Sequence, residues 1–215
     1  MPGSEDSRSQ SSQLMAPHRW RSARILEAVC QVNEHLVSAL SELSRYEGRS
    51  SPIVGQNRDA LRRLDVAACK RVARIPVLLV DLNFQYADWW INVVRANGGR
   101  LAKPEIASGL PPTCVAELTR ECLVVAWLAA QHARQSMGML FGMSDVVADL
   151  IGELTPQQIN RIAERSSREL RIRWQTKPEF WTRLLRAGQS GSAVELCEVQ
   201  LLGLQLLGGE LMSAR

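Results

Sequence analysis

Apolar residues first recur at Ile25, Leu26, Val29, Val32, Leu36, Leu40 and Leu43, in steps of one, three, three, four, four and three. That stripe predicts an amphipathic helix starting near Ser22, with Glu27, Glu34 and Glu42 on its other faces. It should stop near Gly48, where GRSSPIVG reads as a loop. A short helix over 59–74 with a basic face follows, and then Pro76 and the apolar, β-branched run 77–84, the pattern of a buried strand. Asp88, Trp89, Trp90 and Ile91 open another short helix that should end near Asn97, Gly98 and Gly99.

The second half repeats this order. A long helix over 113–139 carries Val115, Leu118, Cys122, Val125 and Ala129 on one face, and Ser144 can cap a short helix reaching Ile151. Thr155, Pro156 and Gln158 form a strong helix start: a hydroxyl cap, a proline at the first helical position and a capping-box glutamine. That helix should reach Arg165, followed by a strand over 170–174, a short helix over 178–185 and a leucine-rich helix over 193–211. Shifting the first half by ninety residues sets Leu64 on Leu154, Arg71 on Arg161, Val72 on Ile162, Ala73 on Ala163, Val80 on Leu170, Leu82 on Ile172 and Phe84 on Trp174. One added residue then brings Trp90 onto Trp181. Apolar agreement alone arises by chance between two helix–strand–helix segments, but the in-register Ala and Trp favour a true repeat.

The expected fold is therefore mainly α, with two tandem small helical modules that each hold one short β-strand. The expected layout is a disordered, Ser- and Gln-rich arm at 1–18, a first module at 19–102, a linker at 103–112 with Pro104, Gly109, Pro111 and Pro112, and a second module at 113–212. Trp89, Trp90, Trp174 and Trp181 fall on apolar repeat positions and read as core anchors.

Charge sharpens this picture. The chain of 215 residues has a formal net charge of +4. From Arg161 to Lys177, the cations Arg161, Arg165, Arg168, Arg171, Arg173 and Lys177 stand against only Glu164 and Glu169. Over 61–74, Arg62, Arg63, Lys70, Arg71 and Arg74 stand against Asp65 alone. Each cluster equals the net charge of the whole chain, so the positive charge is concentrated. Such faces suit phosphate contact, and Gln157, Gln158 and Asn160 at the start of the capped helix are types that pair with base edges. A solvated helix face, or pairing with acidic residues of a partner subunit, fits the same residues.

Other chemistry is poorly represented. The five cysteines (Cys30, Cys69, Cys114, Cys122 and Cys197) form no CxxC pair, and His18, His35 and His132 are the only histidines. No nucleophile elbow, His-Glu-x-x-His or glycine-rich phosphate loop occurs, so no enzyme activity, metal or cofactor is expected. No run of eighteen apolar residues and no leader-like apolar segment is present, which predicts a cytoplasmic protein without a membrane span.

The run ECLVVAWLAAQHARQSMGMLFGMSDVVADLIGELTPQQINRIAERSSRELRIRW, with AVELCEVQLLGLQLL downstream, resembles the flagellar transcriptional activator FlhD/FlhC family, and most closely its FlhD subunit. The segment RRLDVAACKRVARIPVLLVDLNFQYADWW resembles the same pattern more weakly. The resemblance implies a helical transcription regulator that binds duplex DNA as a hetero-oligomer with an FlhC-like partner subunit, or as a homo-oligomer. The four-cysteine zinc site of that partner type is missing, and the chain is about twice the length expected of the FlhD type. Relatives encoded on mobile elements switch on transfer genes, so the resemblance covers conjugative transfer as well as flagella. The competing class is a helical protein–protein adaptor or chaperone-like module without DNA contact, which the leucine-rich last helix fits equally.

Overall fold

The computed structural model describes residues 16–46, 51–95 and 108–213, with side chains from residue 22 onward. Residues 1–15 of the predicted arm and 103–107 of the predicted linker lie outside the described residues, while 16–18 of the arm already belong to the first helix, which starts at Ala16 and not near Ser22. Within them the chain is mainly helical, with ten α-helices and one two-stranded sheet. In order these are α1 (Ala16–Ser44), α2 (Pro52–Arg62), α3 (Val66–Ala73), β1 (Val80–Asp81), α4 (Ala87–Arg95), α5 (Pro112–His132), α6 (Met137–Phe141), α7 (Asp145–Gly152), α8 (Pro156–Ser166), β2 (Arg171–Ile172), α9 (Pro178–Ser190) and α10 (Ala193–Ser213).

Several predicted boundaries move, each for a local reason. The expected loop at GRSSPIVG instead starts α2, because Ser51 accepts from the Val54 amide and Pro52 occupies the first turn. The single helix expected over 59–74 is two helices, since Asp65 accepts from the Ala68 amide at 2.6 Å and so begins α3. The long helix over 113–139 ends at His132, and Met137, Leu140 and Phe141 turn into the core on the separate short helix α6. Gly142 then closes α6 in the left-handed region at φ 60°. The two predicted strands shrink to two residues each. The Leu78 amide is taken by the Leu140 carbonyl, and that of Leu79 by the side chain of Asn33, so the ladder cannot extend.

The capped starts at Ser144 and Thr155 are both present, with the full capping box at Thr155 and Gln158. Trp90 and Trp181 are fully buried and Trp174 nearly so. Trp89 packs edge-on against Trp90, with ring centroids 5.2 Å apart.

The repeat is visible as geometry. Asp65 and Thr155 cap corresponding helices, β1 at Val80 corresponds to β2 at Arg171, and Asn83 and Trp174 both have positive φ. Trp90 on α4 corresponds to Trp181 on α9. The one added residue falls before the strand, around the 3-10 turn Ser167–Glu169, and not after it. In the antiparallel pair, Val80 faces Ile172 and Asp81 faces Arg171. Each residue thus pairs with the counterpart of its own neighbour, which is the signature of a local two-fold.

The copies follow one another in the chain but are interleaved in space. α1 packs along α5, while α9 of the second copy lies on α2 and α3 of the first and α4 of the first lies on α7 of the second. Thr182 donates to Asn57, Gln189 to the Ala60 carbonyl and Arg71 to the Gly188 carbonyl where α9 meets α2 and α3. The buried Asn33 on α1 accepts from the Leu79 amide at 2.8 Å and donates to the Val77 carbonyl at 2.9 Å, tying β1 to α1.

Candidate nucleic-acid interface

Each copy presents two helices joined by a three-residue turn: α2 and α3 around Arg63, Leu64 and Asp65, and α7 and α8 around Glu153, Leu154 and Thr155. On α8 the apolar residues Ile159, Ile162 and Ala163 are buried, and the helix packs against α5. The opposite face is left to solvent. It carries Gln157, Asn160, Arg161, Glu164 and Arg165, continued by Arg168 in the following 3-10 turn, all exposed. Glu164 lies 4.0 Å from Arg120 of α5, both side chains more than half exposed, so the pair adds little stability. Arg161 also borders a narrow gap with Val94 of α4, Leu154 and Ile162, which sets its stem against the swapped helix. On the same side of α3 the exposed cation is Lys70, with Arg74 exposed just past its end and Arg63 in the turn before it.

The other candidates have work inside the fold. Arg173 is 4% exposed. Its guanidinium donates to Glu210 at 2.6 Å, to Asp81 at 3.1 Å and to the Phe141 carbonyl. Arg171 is half-buried and donates to Asp81 at 2.8 Å and to Asn83. The expectation that these two strand arginines face phosphate together with Arg161 is therefore corrected: they clamp the strand pair from within. Arg71 spends its Nε–H on the Gly188 carbonyl at the end of α9, and Arg62 joins Arg58 in donating to the Ser44 carbonyl at the end of α1. These are cationic caps on helix C-termini, which satisfy carbonyls that the helix leaves over. Gln158 is held by its capping box, its side-chain oxygen accepting from the Thr155 amide at 2.8 Å.

Lys177 is exposed but separate from the α8 face. It borders a cleft of about 520 Å³ with Gln85, Tyr86, Gln205 and Glu210. Between Arg168 and Arg171, burial pushes the Glu169 carboxyl up, and the nearby Arg171 pulls it back in part. The charge of the Arg161–Lys177 segment is thus divided between an outer face on α8 and an internal network on β2.

The sequence reading missed Asp81, Asn33 and Glu210. An acidic residue inside an apolar strand run was the available sign for Asp81, because a buried carboxylate needs cationic partners. Asn33 and Glu210 gave no sign, since polar residues on long helices are ordinary.

Among the described residues no group of His, Cys, Asp and Glu could hold a metal ion, and no helix is long and apolar enough to cross a membrane. All five cysteines are free thiols. Compared with known proteins, the chain matches no family model, no curated protein and no solved structure.

Proposed function

We propose that this protein is a DNA-associated transcriptional regulator, a cytoplasmic subunit of an FlhDC-like activator assembled with an FlhC-like partner. The observation that carries the reading is the outward face of α8, where Gln157, Asn160, Arg161, Arg165 and Arg168 are exposed on a helix whose other side is anchored in the core. A capped helix held this way after a short turn is the arrangement in which a second helix enters the major groove while cations meet the phosphates. The counterpart face of α3, with Lys70 and, just past its end, Arg74, offers a second contact related by the internal two-fold. The resemblance to FlhD supports the same reading, and it invokes no catalytic group.

The test is duplex-DNA binding by fluorescence anisotropy across a salt series, with and without the partner subunit. Changing Arg161, Arg165 and Arg168 together to Ala should weaken binding and reduce the salt slope by about one for each phosphate no longer neutralised, with the fold intact. Unchanged affinity and slope at equal salt would refute this face as the interface.

The second reading is a protein–protein adaptor without DNA contact. The exposed Val194, Leu201 and Met212 of α10 favour it. It predicts no salt-dependent DNA binding with any partner present.

A further inference from the structure

Among the described residues five buried side-chain nitrogen or oxygen atoms have no hydrogen-bond partner, and three of them fall on one stretch: Arg173 Nε, Trp174 Nε1 and Gln175 Oε1. These residues are 4%, 5% and 6% exposed, and all three line a single cleft of about 280 Å³ where β1, β2 and α10 meet. Buried donors and acceptors are nearly always satisfied, so three successive exceptions on one cleft point to a partner outside the chain. The backbone agrees. Trp174 is held at φ 54°, a conformation that the corresponding Asn83 of the first copy adopts readily and a bulky indole residue does not.

We propose that this cleft binds a mononucleotide, with the base against Trp174 and Gln175 and the phosphate at Lys177. The proposal is independent of DNA binding by α8. Charge disfavours an ionic group inside the cleft. Asp81 and Glu210 are already matched by Arg171 and Arg173 at 2.6–3.1 Å, two against two, so a further ion there would stand unpaired. What is left over is neutral hydrogen bonding. An indole N–H and a guanidinium N–H ask for acceptors, and the carboxamide of Gln175 offers either end by turning about its last torsion. A planar edge with donor and acceptor side by side is that of a nucleobase. Tyr86, 52% exposed, borders the cleft and gives such a ring a face to stack on. The adjoining cleft of about 520 Å³ shares Gln85, Tyr86 and Glu210 with the first and adds Lys177, whose ammonium makes no ion pair among the described residues. There a phosphate joined to the base through its sugar meets a cation.

The test is isothermal titration of the full chain with the monophosphates of adenosine, guanosine, cytidine and uridine. At least one should bind with a dissociation constant of about 1 mM or tighter. The nucleoside of that base should bind about tenfold more weakly, and Lys177→Ala should bring the nucleotide to the same level. Tyr86→Ala, at an exposed position where the fold is not at risk, should weaken binding about tenfold by removing the stacking face. Gln175→Met keeps the side-chain length and removes the unpartnered oxygen. Its Tm should be unchanged or raised, while nucleotide binding should fall below detection. No binding of any of the four nucleotides, Gln175→Met or Tyr86→Ala binding as wild type does, or displacement of the nucleotide by inorganic phosphate at equal concentration would each overturn the proposal.

Discussion

Removing the carboxylate of Asp81 should unfold the protein more readily than any change on the α8 face. Asp81 is the shared acceptor of the strand pair: one oxygen takes Arg171 at 2.8 Å and the other Arg173 at 3.1 Å, and the amides of Asn83 and Phe84 lie at 3.2 and 3.3 Å. In Asp81→Ala the guanidinium of Arg173, whose side chain is 2% exposed, keeps only Glu210 and the Phe141 carbonyl. Breaking a buried pair typically costs about 3–5 kcal/mol, because the surviving charge is stranded. Glu210 remains at 2.6 Å but is 32% exposed, so it compensates in part and places the expected loss near the lower bound, about 3 kcal/mol. The Arg171 arm, half exposed to water, adds a few tenths.

For a chain of this size a loss of that order lowers Tm by about 6–12 °C. The assay is thermal and urea unfolding followed by both circular dichroism and tryptophan fluorescence, which should give coincident transitions if unfolding is two-state. The double variant Asp81→Ala with Arg173→Met should recover much of the loss, since an apolar side chain then fills the site without a stranded charge. A loss under about 1 kcal/mol, or a double variant no more stable than the single one, would refute the internal clamp and return Arg173 to the surface candidates.

Three further outcomes are expected. Asn33→Ala leaves the Leu79 amide and the Val77 carbonyl without their buried partner, and urea unfolding should show a loss of about 2–4 kcal/mol with the same m-value. Gly142→Ala puts a Cβ at 2.5 Å from Leu207 at a residue with φ 60°, so Tm should fall by several degrees, while Gly208→Ala, inside a helix with open space around it, should raise it slightly. Burial pushes the Cys122 thiol up, with the charge of Asp81 adding to the effect. The unfolded thiol therefore ionises above about pH 8.5 while the folded one keeps its proton, so stability falls as pH rises from there, by up to about 1.4 kcal/mol per pH unit. Unfolding between pH 8 and 10 should consequently show a steeper decline in wild type than in Cys122→Ala, and equal slopes would refute the assignment.

Features encoded within one or two helical turns could be read directly from the chain. Ser144 and Thr155 begin helices because each capping hydroxyl accepts from an amide three residues on, joined at Thr155 by a proline and a capping-box glutamine within the same four residues. The apolar stripe of α1 and the buried Trp90 and Trp181 follow from periodicity, which needs no knowledge of the partner surface. The order of elements in two copies was equally legible, because a repeat is a property of the chain alone.

What no local pattern carried is which residues meet across the fold. Arg161 and Arg173 stand in one basic run and look alike. Arg173 is withdrawn from solvent because Asp81, 92 residues earlier, and Glu210, 37 residues later, arrive beside it, while Arg161 meets no buried carboxylate. The chain likewise shows two successive copies, yet the pairing of Val80 with Ile172 and the crossing of α4 and α9 interleave them. A short helix or a two-residue strand cannot bury its apolar side alone, so its partner is chosen by the shape and charge of surfaces distant in the chain. The chain's own pattern thus settled the mainly helical character and the local caps. Burial against distant partners settled which cations the fold consumes and which it leaves to face solvent.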